Sequence, residues 1–460
     1  MTLATRTAIN PKLRKAYDLR GAVGETLTKE DAFGLGLAFA AMSGARGLSR
    51  IAVSRDGRVS SPELEAALVD GLVAGGAQAF RMPLGPTPLV SFTVQRLQLD
   101  GGIMVTGSHL PPDQNGFKLM LGGNPVYGDA LRKLWGVEPS ERSGGSIEEV
   151  DLTADYLDAL LAEVGSLPIP NAAWDSGNGA TGEIVEALVA RLPGRQRTLF
   201  TKIDGRFPNH HPDPSVSETL ADLSRTVVEQ GLDLGFAFDG DGDRVGVVDS
   251  EGAILWADQL LLLLAHDVLR EQPGASVIGD VKSSDVLFSG IEAAGGRAVM
   301  SPSGYVLVRE AMLREQAPVA GEMSGHIFFG DRWHHADDGI YNAIRCLRAL
   351  VRSGLSLAEF RRSLPVTFAT PELRLPCPDE QKDEVLRGIE MQVRSKGLPV
   401  NSTDGLRVSE SGGWWLLRAS GTEPKLTARC EARTSDALEQ ISARLAERLR
   451  GFGLDTAGLG

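Results

Sequence analysis

Cysteine is scarce: Cys346, Cys377 and Cys430 are the only three in 460 residues. An odd number without metal-ligand spacing reads as reduced thiols of a cytoplasmic protein, not as a disulfide framework. Long apolar runs are missing too. The greasiest stretch, Leu260 to Ala265, is flanked by Asp258, Gln259, His266 and Asp267 and is too short to cross a bilayer. The opening residues, MTLATRTAINPKLRKAYDLRG, hold no apolar core of a secretion signal. Lys and Arg form no block and the formal net charge is −13, which argues against a nucleic-acid binder. Neither a P-loop nor Gly-x-Gly-x-x-Gly occurs, so ATP and NAD are not expected. Neither a nucleic acid nor a membrane is expected as a partner. An anion can bind such an acidic chain only through a local cluster of donors.

Hydrophobic residues at 42% and charged residues at 23% are ordinary for folded proteins. At about 100–200 residues per domain the length predicts three or four domains. One pattern recurs three times: an apolar run ending at an Asp, a small or polar loop, an amphipathic segment, glycine, and a second apolar run. The copies start at Ile51, Ala172 and Ser276, and their first strands end at Asp56, Asp175 and Asp280. This is the shape of an α/β unit repeated as domains. Polar or glycine-containing breaks near 138–146, 251–252 and 364–365 divide the chain into 1–150, 151–252, 253–365 and 366–460. The last part reads as strand-rich with a final helix, an α+β domain of another kind. In that helix Asp436 and Glu439 suggest a capping box, and Leu438, Ile441, Leu445 and Leu449 line one face.

Four motifs carry chemistry. In AFDGDGDRVGVV, Asp239, Asp241 and Asp243 alternate with Gly240 and Gly242 after an apolar run. Spacing of two in an extended loop turns the carboxylates the same way, and such hard oxygen ligands suit Mg²⁺. An EF-hand is excluded, because its sixth and twelfth positions hold Arg244 and Ser250. A plain acidic turn is disfavoured by the repulsion of three uncompensated carboxylates. In GGIMVTGSHLPPDQNGFK, a buried strand runs into Thr106-Gly107-Ser108-His109. Ser108 is not a nucleophile-elbow serine, since Thr106 and Leu110 stand where glycines are required. Read alone, Ser108 is as well a loop filler as a nucleophile. The adjacent Ser108 and His109 side chains are expected to diverge.

PVAGEMSGHIFFGDRW places Glu322, Ser324 and His326 on a loop between two strands, an acceptor, a donor and a titratable group suited to a polyhydroxyl ligand. WWLLRASGTEPK places Arg418, Ser420 and Thr422 on a loop after a strand, where they and the N–H groups around Gly421 can cradle a phosphate. His210-His211 and His334-His335 point to structural hydrogen bonding rather than zinc. Trp414 and Trp415 point to core and rim packing.

These four motifs, in this order, resemble the α-D-phosphohexomutase superfamily, and within it the bacterial phosphomannomutase/phosphoglucomutase group. The resemblance runs from Tyr17-Asp-Leu-Arg20-Gly to Arg429-Cys-Glu-Ala. It implies a heart-shaped molecule with a central cleft, built from three similar mixed α/β domains and a smaller C-terminal α+β domain. It implies an isomerase that moves a phosphoryl group between C1 and C6 of a mannose or glucose phosphate, through phosphorylated Ser108 and a hexose 1,6-bisphosphate that also serves as activator.

By the same resemblance Mg²⁺ is held by the Ser108 phosphate with Asp239, Asp241 and Asp243. Arg20, Lys118 and His326 support proton transfer and charge. Glu322, Met323, Ser324, Gly325 and His326 meet the sugar, and Arg418, Ala419, Ser420, Gly421 and Thr422 hold the non-reacting phosphate. Tyr17, His109, Arg244, Lys282 and Tyr305 lie on the substrate side. A monomer or weak homodimer is implied. Two positions depart from the pattern: Leu110 replaces a usual Asn, and Tyr305 a usual His. The stretch from Ala298 to Tyr305 reads as a strand running into a loop, which takes Tyr305 either to the cleft or to a packing position under the loop. A phosphoglucosamine mutase is the nearest alternative, though Met323 stands where that group reads Gln. A non-catalytic sugar-phosphate binder is the other.

Overall fold

The computed structural model describes residues 9–137, 141–420, 424–456 and 458–459. The chain divides into two compact units. One comprises residues 1–268 and 324–360, the other residues 269–323 and 361–460.

The first unit holds two mixed sheets. In one the strands run in the order Leu19–Ala22, Gln114–Leu121, Gly101–Val105, Arg50–Arg55, Gln78–Arg81, Ser146–Glu149. In the other the order is Ile254–Leu255, Val245–Asp249, Leu234–Phe238, Ala172–Asp175, Gln196–Leu199. The central strands Gly101–Val105 and Leu234–Phe238 are buried at every residue, as strands covered on both faces must be. Asp56 follows the Arg50–Arg55 strand directly, and Asp175 closes its own strand as expected. The stretch from Leu260 to Ala265 lies buried in the helix Ala257–Glu271.

In the second unit the parallel strands Arg297–Ser301, Ser276–Asp280 and Val319–Gly321 lie side by side, and an antiparallel sheet is built around Lys425–Ala432 and Gly413–Ala419. Its helix Asp379–Ser395 escaped the sequence reading. Ile441, Leu445 and Leu449 of the helix Ser435–Arg450 are fully buried. The cap differs from expectation: Thr434, not Asp436, accepts the Ala437 N–H, which starts the helix two residues earlier. Trp414 and Trp415 are both buried, so neither forms a rim: Trp415 joins the core under the helices, and Trp414 faces the Arg407 guanidinium at 3.6 Å. All three cysteines are free and buried. No helix among the described residues is long and apolar enough to cross a membrane.

One buried carboxyl gives the first unit a pH dependence. Asp338 caps the helix Gly339–Ser353 by accepting the Tyr341 N–H at 2.9 Å, and both its oxygens face the Tyr156 hydroxyl at 2.9 and 2.8 Å. Burial pushes the carboxyl up to about 7, against the downward pull of the Tyr341 N–H and the Tyr156 hydroxyl. Because the folded value lies above the unfolded one, this stability is full below about pH 4 and is lost as pH rises towards 7. Asp338→Asn keeps an acceptor without the charge. Its stability relative to wild type should therefore rise by up to about 4 kcal/mol between pH 4 and pH 8, read by urea melts. An equal difference at both pH values would contradict this.

Candidate active site

The strand Gly101–Val105 delivers the chain to Thr106, and the strand Leu234–Phe238 delivers it to Asp239. The two exit loops meet. A Cβ on Gly240 would lie 2.2 Å from the Ser108 carbonyl oxygen, so only glycine allows this approach. Ser108 is 3% exposed and adopts φ 49°, a left-handed conformation that non-glycine residues rarely keep without a functional reason. Its hydroxyl donates to Asp239 Oδ2 at 2.8 Å. It also lies 3.3 Å from His109 Nδ1, so the expected divergence of the two side chains is wrong. The left-handed turn at Ser108 swings its side chain back towards its neighbour.

Carboxylate oxygens of Asp239, Asp241 and Asp243 lie within 4.8 Å of one another, as the spacing of two predicted. All three residues are buried. Asp241 Oδ2 accepts from the Thr87 hydroxyl at 2.6 Å. Asp241 Oδ1 and Asp243 Oδ1 are buried without a hydrogen-bond partner. Orphaned carboxylate oxygens converging beside a serine hydroxyl are what a hard divalent cation requires. The acidic cluster can thus hold a metal.

Lys118 reaches the cluster from the neighbouring strand, with Nζ 2.7 Å from Asp241 Oδ2 and also against Asp243. Burial works against its charge, but Asp241 and Asp243 outweigh it and hold the ammonium well above its usual value. Burial and then Asp243 push Asp239 up to about 7. For Asp241 burial is overcome by Lys118 and Thr87, which hold this carboxylate ionised. Arg244 packs between Asp239 (3.2 Å) and Asp213 (3.1 Å). Burial and the charge of Arg244 drop His109 to about 3, so its imidazole is neutral. Arg20 donates to the Thr106 carbonyl and to Asp18 at 2.8 Å. His326 Nδ1 lies 2.8 Å from Asp337 and 3.8 Å from Asp243. The Ser324 carbonyl is 3.5 Å from Arg244, and Gly325, at φ 99°, accepts the Val245 N–H. Tyr17 packs near Tyr127, with ring centroids 6.2 Å apart.

The second unit gathers its own polar group. Lys282 follows the Ser276–Asp280 strand and lies 3.4 Å from Glu372. Burial lowers its pKa, but Asp280 and Glu322 raise it more. Glu322 accepts from Ser303 at 3.5 Å, and the Met323 N–H donates to Asp280 at 3.3 Å. Arg418 pairs with Asp404 at 2.8 Å, and the same carboxylate accepts the Ser303 N–H at 3.0 Å. Ala419 ends the strand, and the Ser420 carbonyl accepts from Lys382 at 2.8 Å. Gly421 and Thr422 lie outside the described residues. Tyr305 is not on a loop: it opens the helix Tyr305–Glu315 behind Gly304 at φ 127°. The sequence Tyr-Val-Leu-Val-Arg-Glu-Ala-Met has the helical run that an extension of the preceding strand would have broken.

His210 bonds Asp175 at 3.0 Å, the structural role expected of it, whereas His334 stacks on Trp333 at 4.4 Å. Among the described residues neither histidine pair joins a group able to hold a metal. Sequence reasoning missed Arg58, Thr87, Asp213, Asp337 and Asp404. Asp213, between two prolines in His-His-Pro-Asp-Pro, had a visible signal, but Thr87 had none.

The site thus sets a carboxylate loop able to hold a metal against a buried hydroxyl in an α/β protein. Comparison with known proteins narrows this. "Phosphoglucomutase/phosphomannomutase, alpha/beta/alpha domain I" matches residues 11–135, domain II residues 154–252, domain III residues 256–368, and the C-terminal domain residues 372–448. The chain is 38% identical over 453 residues to the phosphomannomutase/phosphoglucomutase of Pseudomonas aeruginosa, covering 98% of each. It is 40% identical to the phosphoglucomutase of Neisseria gonorrhoeae, covering 95% of this chain and 96% of the relative. A crystal structure of a phosphoglucomutase/phosphomannomutase family protein from Burkholderia thailandensis superposes with TM-score 0.89 at 37% identity, covering 96% of this chain and 98% of the other. The chain belongs to the phosphoglucomutase/phosphomannomutase family, with four family domains, and is a mutase, an enzyme of the isomerase class.

Proposed function

We propose that the protein interconverts hexose 1- and 6-phosphates of mannose and glucose, with Ser108 as phosphoryl carrier. The observation that carries this reading is the Ser108 hydroxyl, 2.8 Å from Asp239, in a carboxylate cluster where Asp241 and Asp243 each leave one oxygen without a hydrogen-bond partner. In the forward half, a sugar hydroxyl attacks phosphoserine. The P–Oγ bond breaks, a P–O bond to the sugar forms, and the hydroxyl proton passes through a base of the site to the departing Ser108 Oγ. The resulting 1,6-bisphosphate turns over and returns its other phosphate to Ser108. Free bisphosphate serves as activator by rephosphorylating Ser108.

Asp239, Asp241 and Asp243 with the Ser108 phosphate hold the divalent cation, for which Mg²⁺ fits the all-oxygen set. When bound, it offsets the charge of carboxylates and phosphoryl group that would otherwise repel. Lys118, Arg20 and Arg244 add positive charge around Ser108, and His326, oriented by Asp337, serves proton transfer. Glu322, Met323, Ser324 and Gly325 recognise sugar hydroxyls. Arg418 to Thr422 hold the non-reacting phosphate, and Tyr17, His109, Lys282 and Tyr305 complete the substrate side. The reduced thiols fit a cytoplasmic enzyme, and a monomer or weak dimer is proposed.

A coupled assay with glucose 1-phosphate and a catalytic amount of glucose 1,6-bisphosphate tests the reading. No turnover with either hexose phosphate would overturn it. Met323 is apolar and offers nothing to separate the C2 configurations of glucose and mannose. Their kcat/KM values are therefore expected to agree within roughly tenfold, about 1.4 kcal/mol. A preference of several hundredfold would place selectivity outside this loop.

A further inference from the structure

The loop from Thr106 to Asp113 has no regular secondary structure, yet it must hold Ser108 in a strained conformation against the metal-binding carboxylates. At the centre of its support is one side chain, Arg58, none of which is exposed. A guanidinium has five N–H donors in a fixed fork. Here all five have acceptors. Nη2 donates to the carbonyls of Ser108 (2.7 Å) and Leu110 (2.6 Å), Nη1 to those of Pro111 (2.6 Å) and Gln114 (3.0 Å), and Nε to Asp56 Oδ2 (3.2 Å). The loop thus closes around one buried cation, through backbone groups that any sequence would supply. Leu110, where the family usually has Asn, takes part through its carbonyl alone.

Asp56 secures the near side. It accepts the Thr106 hydroxyl at 2.8 Å, the Gly107 N–H at 3.1 Å, the Arg58 N–H at 3.0 Å and the Ser61 hydroxyl at 2.5 Å. A Cβ on Gly107 would sit 2.3 Å from Arg58 Nε, so the chain passes directly over the guanidinium. The carbonyl of Ser108 itself is bonded to Arg58, while its hydroxyl is bonded to Asp239. The position of the hydroxyl follows from the fork.

We propose that Arg58, with Asp56, is a positioning residue for phosphoryl transfer: it fixes the strained Ser108 backbone so that Oγ faces the sugar, as carrier of the donated phosphoryl group in one half of the cycle and as its acceptor in the other. Lysine keeps the charge but has three donors on a point and cannot reproduce the fork. The inference rests on Ser108 as phosphoryl carrier.

The test uses the full-length enzyme with Arg58→Lys, Asp56→Asn, Ser108→Ala and, as control, Arg345→Lys. Arg345 is another buried guanidinium of the same unit, forked onto Asp331 at 2.9 and 2.9 Å, away from the loop. Misplacing a reacting group by about 1 Å costs roughly a hundredfold, so kcat of Arg58→Lys should fall by about that factor while KM stays within about threefold. Single-turnover phosphorylation of Ser108 from glucose 1,6-bisphosphate should slow in parallel. Asp56→Asn should lose kcat selectively by about tenfold, which keeps the inference testable where Arg58→Lys does not fold. Arg345→Lys should lower the melting temperature without a kcat-selective loss. Normal kcat in folded Arg58→Lys and in Asp56→Asn, with Ser108→Ala inactive, would overturn this inference alone. Wild-type turnover in Ser108→Ala would overturn the carrier reading and this inference with it.

Discussion

Ser108→Ala is expected to lower turnover by at least about a thousandfold and to leave the fold intact, because in the proposed cycle it removes the atom that bonds phosphorus in both halves. The structural cost is small. The hydroxyl makes one hydrogen bond, to Asp239, and approaches His109, so its loss costs about 1 kcal/mol of stability. Alanine meets the same left-handed strain at φ 49° that serine does, and the Arg58 fork grips the backbone, not the side chain. A large kinetic loss beside a nearly unchanged melt therefore separates chemistry from folding. Ser108→Ala with wild-type turnover would leave the mechanism without a nucleophile.

Asp241→Asn should be nearly as damaging. Asp241 is the carboxylate of the three that its surroundings hold ionised, through Lys118 and the Thr87 hydroxyl. Its Oδ1 is an orphaned oxygen of the cluster. Asparagine keeps the shape, removes the charge, and leaves Lys118 with Asp243 as its partner in the pair. Metal-borne charge stabilisation is worth several kcal/mol, so kcat should fall on the order of a thousandfold, with weaker dependence on added Mg²⁺. Chelation of wild-type enzyme should cause a comparable loss that Mg²⁺ reverses. Full activity after exhaustive chelation would remove the metal from the mechanism.

The clustering of the three carboxylates was legible because it is written in adjacent residues: alternating Asp and Gly after an apolar strand leave little choice of local geometry. Strand-exit loops were legible for the same reason, and Asp56, Asp175 and Asp280 close or directly follow their strands. Ser108 was harder, since nothing local distinguishes it from a loop serine. What marks it is its hydrogen bond to Asp239, 131 residues away. Arg58 and Asp404 act through carbonyls, backbone N–H groups and ion pairs brought together by tertiary packing, so no spacing rule points to them. Tyr305 was misplaced because a strand's end does not tell whether the next residues extend or coil. Gly304 at φ 127° turns the chain into a helix there.

The account's central claim is that phosphate travels through Ser108, and the most direct measurement is the phosphorylation state of that residue in working enzyme. Peptide mass spectrometry of protein equilibrated with glucose 1,6-bisphosphate, and again after exposure to glucose 1-phosphate carrying isotopically labelled phosphate, reads it at residue level. The account predicts phosphate on Ser108 in the first sample and labelled phosphate on Ser108 in the second. Fully active enzyme with an unmodified Ser108 throughout, or with the label on another residue, would contradict it.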